Sequence, residues 1–382
     1  MSGLDPCHPP VVQRILRYIQ DVTHAGFSDD ASFGSRFNEL SLELFEFQLA
    51  HSEPYRAWCG ALGRDRLRPG NWFEIPCVPT ISFKEVDWSC LPADQRRHVF
   101  HSSGTTTHHP SRHFHSDGSL QLYESSLLPW FERHLMAGLY PNQLVRLLSL
   151  TPPPAIATRS SLAWMMGSVL RTYGSSGAIF AGRLDSTGAW EVDGDLVTRH
   201  LCAPGTTEEP TILLGTAFNF VHLIDEFSRR GIRLQLPPGS AVMETGGYKG
   251  RSRSMPRDEL HAMITERLGL GGDRIICEYG MSELSSQAYD LALSNPSALA
   301  PSSRRFRFPP WARVRIISPE TGDEVGMGQA GVVQVVDLAN AYSAMALRTG
   351  DLGRRWEDGF ELIGRAEPSD PRGCSLASPS LS

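Results

Sequence analysis

The chain has 382 residues, of which 41% are hydrophobic and 20% are charged. This composition predicts a folded globular protein and excludes both an intrinsically disordered chain and an integral membrane protein. The 36 lysines and arginines stand against 42 aspartates and glutamates, a net charge of −6, so no overall basic field attracts nucleic acid.

The amino-terminal part of the chain is predicted to be helical. Apolar residues recur there at helical spacing, at Val11, Val12, Ile15, Leu16, Ile19 and Val22, and again at Leu40, Leu44, Phe45 and Phe47. A connector punctuated by Pro and Trp follows at 71–91 and leads into a polar run at 100–118. We expect this polar run to lie outside the core.

Strand and helix patterns then alternate along the chain. Apolar strand segments are predicted at 144–150, 212–214, 241–244 and 274–278, and amphipathic helices at 160–173, 218–230 and 256–268. This order predicts βαβ crossovers and a largely parallel sheet. From residue 312 onward, short apolar runs separated by a Pro-Glu-Thr-Gly turn predict antiparallel strands.

The pattern therefore predicts an α/β fold with a smaller β-rich carboxyl-terminal subdomain. We expect a helical region at 1–95, an α/β core at 96–300, and a β-rich subdomain with a terminal tail at 301–382. The amino terminus, MSGLDPCHPP, lacks the charged and apolar regions of a secretory signal, and no segment is long and apolar enough to span a bilayer. These features predict a cytoplasmic protein.

The seven cysteines are scattered singly, without the paired spacing of a metal motif. An odd number at such spacings argues against a disulfide framework or a zinc ribbon, so most are expected to be ordinary reduced thiols.

One polar segment has the composition of a phosphate-binding loop. Ser102, Ser103, Gly104, Thr105 and Thr106 offer hydroxyls and backbone N–H groups that can surround phosphate oxygens, and the glycine permits close approach. Taken alone, the same residues are equally typical of an ordinary surface turn.

Two further segments place polar side chains where α/β proteins bind ligands. EYGMSE follows the apolar strand RIIC, so Tyr279 and Glu283 come directly after the carboxyl end of a strand. Glu283 there is either a Mg²⁺ ligand against nucleotide phosphates or a solvated loop residue. In TGDLG, Asp351 supplies a carboxylate that can accept paired hydrogen bonds from ribose hydroxyls.

The order SSGTT, YGMSE, TGDLG and Ile363-Gly364-Arg365 resembles the adenylate-forming superfamily of acyl-CoA synthetases, peptide synthetase adenylation domains and luciferases. A closer resemblance is to the LuxE-like acyl-protein synthetases, partners in bacterial fatty-acid reductase complexes. It is carried by LFEFQLAHSEPYRAWC, VPTISFKE, FHSSGTT, METGGYKG, EYGMSE and GRAEPSDPRGCSL, which span nearly the whole chain.

The resemblance implies the amino-terminal-domain fold of the superfamily and a set of nucleotide contacts. The SSGTT loop would contact ATP phosphates, Gly246 and Gly247 would border the adenine, and Tyr279 would stack on it. Glu283 would bind Mg²⁺, and Asp351 would hold the ribose, with Arg365 nearby. CoA is a further possible cofactor of the second step.

Two departures from the superfamily pattern stand out. Thr107, His108 and His109 follow the loop where many members have Gly and Lys, and the large mobile carboxyl-terminal domain with its essential Lys is absent. Lys249, in GGYKG, is the available cation in a family-like segment; it faces either the reacting carboxylate and α-phosphate or solvent.

Two other clusters have competing interpretations. The first cluster consists of the histidines around the loop: His98, His101, His108, His109, His113 and His115. These side chains can in principle bind zinc. Nucleotide binding already accounts for the loop, however. The segment Trp164, Met165, Met166 is predicted to be core or acyl-pocket lining.

Cys374, in RGCSL, follows Arg372, a cation that favours a thiolate. The resemblance implies that this cysteine accepts the acyl group, whereas the alternative is a buried or incidental thiol.

The predicted function has two steps. A fatty or aromatic carboxylic acid and MgATP give acyl-AMP and pyrophosphate, and a thiol on Cys374 or on a partner protein, such as an acyl reductase, then displaces AMP. A stand-alone acyl- or aryl-CoA ligase is the enzymatic alternative. A non-catalytic nucleotide-binding subunit of a reductase complex is the second alternative, against which Glu283, Asp351 and Arg365 argue.

Overall fold

The structure is a computed structural model that describes residues 8–28, 30–63, 68–102, 110–139, 145–202, 209–246, 255–292 and 304–365. It begins with the helices α1 (Pro10–His24), α2 (Ala31–His51) and α3 (Glu53–Ala61) and the short strand β1 (Val78–Pro79). The predicted helical periodicity is confirmed, because the apolar residues of α1 and α2 are buried in the main hydrophobic core. Asp30 caps α2 by accepting a hydrogen bond from the backbone N–H of Ser32.

Several described residues of the polar run at 100–118 are buried, so the prediction that this run lies outside the core is wrong for them. The run contributes to the hairpin β2 (His98–His101) and β3 (Arg112–His115), which precedes α4 (Asp117–Leu135). His113 and His115 are each 2% exposed, because alternate side chains of β3 point inward. Burial lowers the pKa of His113 to about 4 and that of His115 well below its ordinary value, so both rings are buried in their neutral form.

The alternation of strands and helices in the middle of the chain is confirmed. The strands β4, β8, β9 and β10 run parallel, with β5 parallel to β4 at the edge of the sheet. The elements are β4 (Arg146–Ser149), α5 (Ser161–Tyr173), β5 (Ile179–Phe180), β6 (Gly182–Leu184), β7 (Trp190–Val192), α6 (Gly194–Leu201), β8 (Thr211–Thr216), α7 (Ala217–Arg229), β9 (Ala241–Thr245), α8 (Arg257–Leu268) and β10 (Ile275–Tyr279).

The strands after β10 are antiparallel, as predicted, and they continue the same sheet. They are β11 (Ala288–Asp290), β12 (Phe306–Arg307), β13 (Ala312–Ile317), β14 (Ala330–Asp337), β15 (Ala346–Trp356) and β16 (Gly359–Arg365). Twelve of the sixteen described strands form one sheet in the order β13-β14-β15-β16-β12-β11-β10-β9-β8-β4-β5, with β1 parallel to β15, whereas β2–β3 and β6–β7 form two separate two-stranded sheets. The division at residues 95 and 300 stays a prediction.

The parallel part of the sheet is covered on both faces. Leu148, Leu213 and Val242 pack with α7 and α8 in one apolar cluster, whereas Leu147 and Met243 belong to the larger cluster with α4 and α5. Neighbouring residues of each strand therefore face opposite cores, which explains why these strands are apolar throughout. Within α5, Met165 and Met166 lie in the larger core, in line with the first of their two predicted roles. In the part of the chain that the structure describes, no helix has the length and apolarity needed to cross a membrane.

Candidate active site

The carboxyl ends of four parallel strands meet at one edge of the sheet. The strands β4, β8, β9 and β10 end at Ser149, Thr216, Thr245 and Tyr279, respectively. Parallel α/β sheets bind their ligands at this edge. The predicted nucleotide contacts at Gly246 and Tyr279 therefore belong to one edge of the sheet.

The open end of the β2–β3 hairpin is closed by two hydrogen bonds. The backbone N–H of Ser102 donates to the carbonyl oxygen of Ser111 at 3.3 Å, and the N–H of Ser111 donates to Ser102 Oγ at 3.1 Å. Ser102 thus stands at the entry of the predicted phosphate loop. Ser103, Gly104, Thr105 and Thr106 lie outside the described residues.

Glu283 is held against this hairpin. Its side chain is 7% exposed, and its Oε1 accepts a hydrogen bond from Ser111 Oγ at 2.5 Å. The backbone carbonyl of Glu283 accepts from Asn340 Nδ2 at 3.0 Å. The structure therefore joins the EYGMSE segment to the β2–β3 hairpin, and Glu283 is not a solvated loop residue.

A buried carboxylate fixes the segment that follows Glu283. Asp337, at the end of β14, accepts hydrogen bonds from the backbone N–H groups of Ser285, Ser286 and Ala339 and from Ser286 Oγ, at 2.7–3.0 Å. The pKa of Asp337 is raised to about 6, because burial outweighs the lowering effect of these donors. They hold the backbone next to Glu283 in place.

Tyr279, Asp351 and Arg365, which the resemblance assigns to adenine and ribose, form a second group. The Tyr279 hydroxyl donates to Asp351 Oδ2 at 2.9 Å, and Arg365 Nε lies 3.3 Å from Asp351 Oδ1. Asp351 and Arg365 are directly paired in the β15–β16 ladder. Burial and the neighbouring carboxylate raise the pKa of Tyr279 well above its ordinary value, so its hydroxyl remains a donor.

Three phenylalanines enclose the Tyr279 ring. The ring centroids of Phe306, Phe308 and Phe360 lie 5.8–6.2 Å from that of Tyr279, all in edge-on geometry. Tyr279 is 9% exposed, so packing fixes the position of its ring. A fixed ring at this edge is a suitable surface for a nucleobase.

Of the remaining predicted site residues, the structure describes Gly246 but not Gly247, Lys249 or Cys374. Gly246 follows β9 with φ = +71°, a left-handed conformation that favours glycine. Gly247, Lys249 and Cys374 lie outside the described residues, as do His108 and His109 of the histidine cluster. The other four histidines of that cluster form no group of converging ligand atoms among the described residues.

Sequence reasoning missed Ser111, Asn340 and Asp337. Each forms a hydrogen bond with the Glu283 segment, although about 50 to 170 residues separate the partners in the sequence. No local motif contains these pairs, so no sequence signal marks them.

The sequence profile of the family described as "Acyl-protein synthetase, LuxE" matches residues 25–380. The chain belongs to the LuxE family of acyl-protein synthetases. Curated relatives are the long-chain-fatty-acid–luciferin-component ligases of Aliivibrio fischeri and Vibrio harveyi. The first is 22% identical over 360 residues, covering 89% of this chain and 87% of the relative. The second is 21% identical over 343 residues, covering 87% and 84%. Membership of the LuxE family places the chain among the ligases.

Solved structures support the predicted fold. A 2-hydroxyisobutyryl-CoA ligase bound to its acyl-AMP and CoA aligns with a TM-score of 0.60 and 17% identity, covering 87% of this chain and 68% of that one. The similarity shows that this LuxE-family chain has the fold of adenylate-forming enzymes. The chain spans about half of another match, the ATP-bound MatB from Rhodopseudomonas palustris (TM-score 0.47, 16% identity, 72% of this chain and 49% of that one).

Proposed function

We propose that the protein activates a carboxylic acid with ATP as acyl-AMP and then transfers the acyl group to a thiol. The observation that carries this proposal is the buried Glu283 carboxylate, hydrogen-bonded to Ser111 at the end of the phosphate loop. Family membership and the adenylate-forming fold support the same chemistry. In this reaction the acid's carboxylate oxygen attacks the α-phosphorus and pyrophosphate leaves, so no protein nucleophile takes part.

The residues have distinct roles in this first step. The loop from Ser102 to Thr106 binds the phosphates, Gly246, Gly247 and Tyr279 border the adenine, and Asp351 with Arg365 holds the ribose. Asp351 has accepting capacity left after its bonds to Tyr279 and Arg365, because a carboxylate offers about four lone-pair sites. Positioning and charge neutralisation are the main demands of phosphoryl chemistry.

Glu283 is the proposed ligand of Mg²⁺. The fit is good, because Mg²⁺ prefers oxygen ligands and uses few protein carboxylates beside substrate phosphates. The carboxylate lies next to the loop that the phosphates would occupy, and Ser111 fixes one of its oxygens. When bound, the ion neutralises phosphate charge as the leaving group departs.

Cys374 is the proposed acceptor in the second step. Its thiolate attacks the acyl carbonyl, a thioester forms, and AMP leaves with the electron pair of the broken acyl–phosphate bond. Arg365 ends β16 beside Asp351 and Tyr279, and Cys374 follows nine residues later in the sequence. Nine residues span at most about 30 Å, so this thiol is tethered within reach of the site.

We propose a fatty acid as the substrate and an acyl reductase as the partner that receives the acyl group. The curated relatives are named for long-chain fatty acids and a luciferin component, which supports the fatty acid over an aromatic acid. An acid-dependent exchange of pyrophosphate into ATP, measured over chain lengths and aryl acids, tests this choice. Faster exchange with an aryl acid would contradict it.

The experiment that tests the two-step function compares wild type with Cys374→Ser. We expect exchange to persist in the variant, while a labelled acyl group no longer attaches through a hydroxylamine-sensitive thioester, since a serine hydroxyl is not ionised near neutral pH. The matched control is Cys202→Ser, a change at an exposed cysteine. Acylation of Cys374→Ser at the wild-type level would show that another thiol is the acceptor.

Two outcomes would favour the alternatives. Consumption of CoA in step with AMP formation, without acylated protein, indicates a stand-alone CoA ligase. Nucleotide binding without exchange for any acid indicates a non-catalytic subunit of a reductase complex.

A further inference from the structure

Three side chains with metal-ligating atoms meet beneath α8. They are Glu244 at the end of β9, His261 in α8 and Cys277 in β10, and they are 2%, 4% and 1% exposed. Glu244 and Cys277 are direct partners in the parallel ladder, and His261 faces them from the helix. Among the described residues, they are the one group of three such ligands with converging atoms.

The distances between the three ligand atoms match those around a tetrahedral ion. Glu244 Oε2 lies 3.4 Å from His261 Nε2 and 3.4 Å from Cys277 Sγ, and Sγ lies 3.8 Å from Nε2. With Zn–S near 2.3 Å and Zn–N and Zn–O near 2.1 Å, a tetrahedron separates its ligand atoms by about 3.4–3.6 Å. Only the sulfur–nitrogen distance must shorten, by about 0.2 Å, for all three atoms to reach one ion.

The histidine is oriented by this cluster. Its Nε2 contacts both Glu244 and Cys277, whereas its buried Nδ1 has no hydrogen-bond partner in the described part of the chain. A ring buried to this degree usually has both nitrogens satisfied. Nε2 is therefore the nitrogen of His261 that faces the other two ligand atoms.

The charges of the cluster suit a divalent cation. With a divalent ion, the thiolate and the Glu244 carboxylate balance both positive charges, and the buried site is neutral. Binding of one ion therefore releases one proton from the thiol.

We propose that Glu244, His261 and Cys277 bind one Zn²⁺ ion, with water as the fourth ligand. Mixed sulfur, nitrogen and oxygen donors favour Zn²⁺ over Mg²⁺, which requires oxygen ligands. The ion joins α8 to the adjacent strands β9 and β10. It is separate from the proposed Mg²⁺ ligand Glu283 and does not depend on the proposed adenylation reaction.

The first test uses the intact protein and Co²⁺ as a spectroscopic substitute for Zn²⁺. We expect the metal-depleted protein to bind one Co²⁺ per chain, with a thiolate-to-metal charge-transfer band in the near ultraviolet and d–d bands of tetrahedral intensity. Equimolar Zn²⁺ should abolish both features, and Zn²⁺ added to the metal-depleted protein should release about one proton per chain. Absence of the charge-transfer band in folded wild-type protein would overturn the proposal.

Single substitutions then identify the ligands. Cys277→Ser should eliminate the charge-transfer band, and His261→Gln and Glu244→Gln should each weaken Zn²⁺ binding at least 10-fold. Cys90→Ser, a change at another buried thiol, is the matched control and should keep the band. If Cys277→Ser does not fold, loss of Zn²⁺-dependent thermal stabilisation in His261→Gln and Glu244→Gln gives the same answer. Unchanged binding in these two folded variants contradicts the assignment.

A substitution of Arg257 distinguishes a metal site from an ordinary ion pair. Its Nε lies 3.9 Å from Glu244 Oε2, so its positive charge competes with a bound cation. Arg257→Gln leaves all three ligands in place and should raise the affinity for Zn²⁺ several-fold. Weaker Zn²⁺ binding in this variant would count against the site.

Discussion

The hydroxyl of Ser111 lies 2.5 Å from Oε1 of Glu283, although 172 positions separate the two residues in the chain. The bond joins β3 to the EYGMSE segment. It holds one oxygen of the Glu283 carboxylate in place. Ser111 is therefore a positioning residue for the proposed Mg²⁺ ligand.

We predict that Glu283→Gln abolishes most acid-dependent pyrophosphate exchange, because a neutral amide is a weak substitute for a carboxylate ligand. Ser111→Ala should raise the Mg²⁺ concentration for half-maximal exchange by about 10- to 100-fold, as expected for a residue that orients a ligand. Ser111→Thr keeps a hydroxyl and should restore most of the wild-type dependence. An unchanged Mg²⁺ dependence in Ser111→Ala would remove Ser111 from this role.

Asp351 is predicted to determine ATP affinity. Asp351→Ala loses charge-assisted hydrogen bonds worth about 1.5–3 kcal/mol, which corresponds to roughly a 10- to 150-fold higher ATP concentration for half-maximal exchange. Tyr279→Phe keeps the ring and loses only the bond to Asp351, so the same quantity should rise about 5-fold. Equal ATP dependence in wild type and Asp351→Ala would show that this carboxylate does not touch the ribose.

Lys249 is one of two lysines in the whole chain, the other being Lys84. If its charge acts mainly in the transition state, Lys249→Ala lowers the adenylation rate and leaves the ATP affinity nearly unchanged. ATP together with a non-reacting acid analogue should also protect Lys249, but not Lys84, from an amine-specific reagent. Unaltered turnover in Lys249→Ala would place this lysine in solvent.

The buried His134 predicts a loss of stability in acid. Its Nδ1 donates to the Trp130 carbonyl at 2.9 Å, its ring stacks on Tyr289, and burial lowers its pKa to about 4. The unfolded histidine titrates near 6.5, so the unfolded chain binds more protons between these values. The contribution of His134 is therefore complete above about pH 6.5 and decreases as the pH falls toward 4, by at most about 1.4 kcal/mol per pH unit.

Urea unfolding at several pH values checks this prediction. His134→Gln should show a smaller decrease in the free energy of unfolding between pH 7 and pH 5 than wild type. The matched control is His51→Gln, at an exposed position of α2, which should behave like wild type. Identical slopes for His134→Gln and wild type would contradict the assignment.

A buried ion pair connects β11 to the segment before β12. Arg304 Nη1 lies 2.6 Å from Asp290 Oδ2, and Arg304 also donates to the carbonyl of Gly272. Arg304→Met leaves the buried Asp290 carboxylate without its cation and should lower the free energy of unfolding by about 3–5 kcal/mol. Adding Asp290→Asn should recover part of this loss. A loss below about 1 kcal/mol in urea unfolding would show that solvent compensates for the missing guanidinium.

Local patterns predicted the elements better than they predicted the site. The helices and the parallel strands followed from apolar periodicity, because that periodicity is the direct result of burial on one or both faces. The histidines of β3 were expected outside the core because of their polarity, but they are buried. A neutral imidazole with a hydrogen-bond partner is tolerated in a core. Their burial depends on carbonyl and hydroxyl acceptors far away or in the next helix.

The site contacts depended on tertiary structure. Tyr279, Glu283, Asp351 and Arg365 were identified from their motifs, and the structure brings them into two groups. Ser111, in contrast, carries no motif of its own. The same holds for Cys277, because metal spacing in sequence describes ligands on one turn or loop, whereas Glu244, His261 and Cys277 come from two strands and a helix.

The pairing of Ser102 with Ser111 has a thermodynamic consequence. Ser102, the first residue of the proposed phosphate loop, accepts a hydrogen bond from Ser111, and the Ser111 hydroxyl donates to Glu283, so a shift of Ser102 reaches the carboxylate through two hydrogen bonds. Binding of ATP near Ser102 and of Mg²⁺ at Glu283 is then coupled, and the coupling free energy is the same in both directions. ATP should tighten Mg²⁺ binding by the same factor by which Mg²⁺ tightens ATP binding, and loss of the Ser111 hydroxyl should reduce both factors equally.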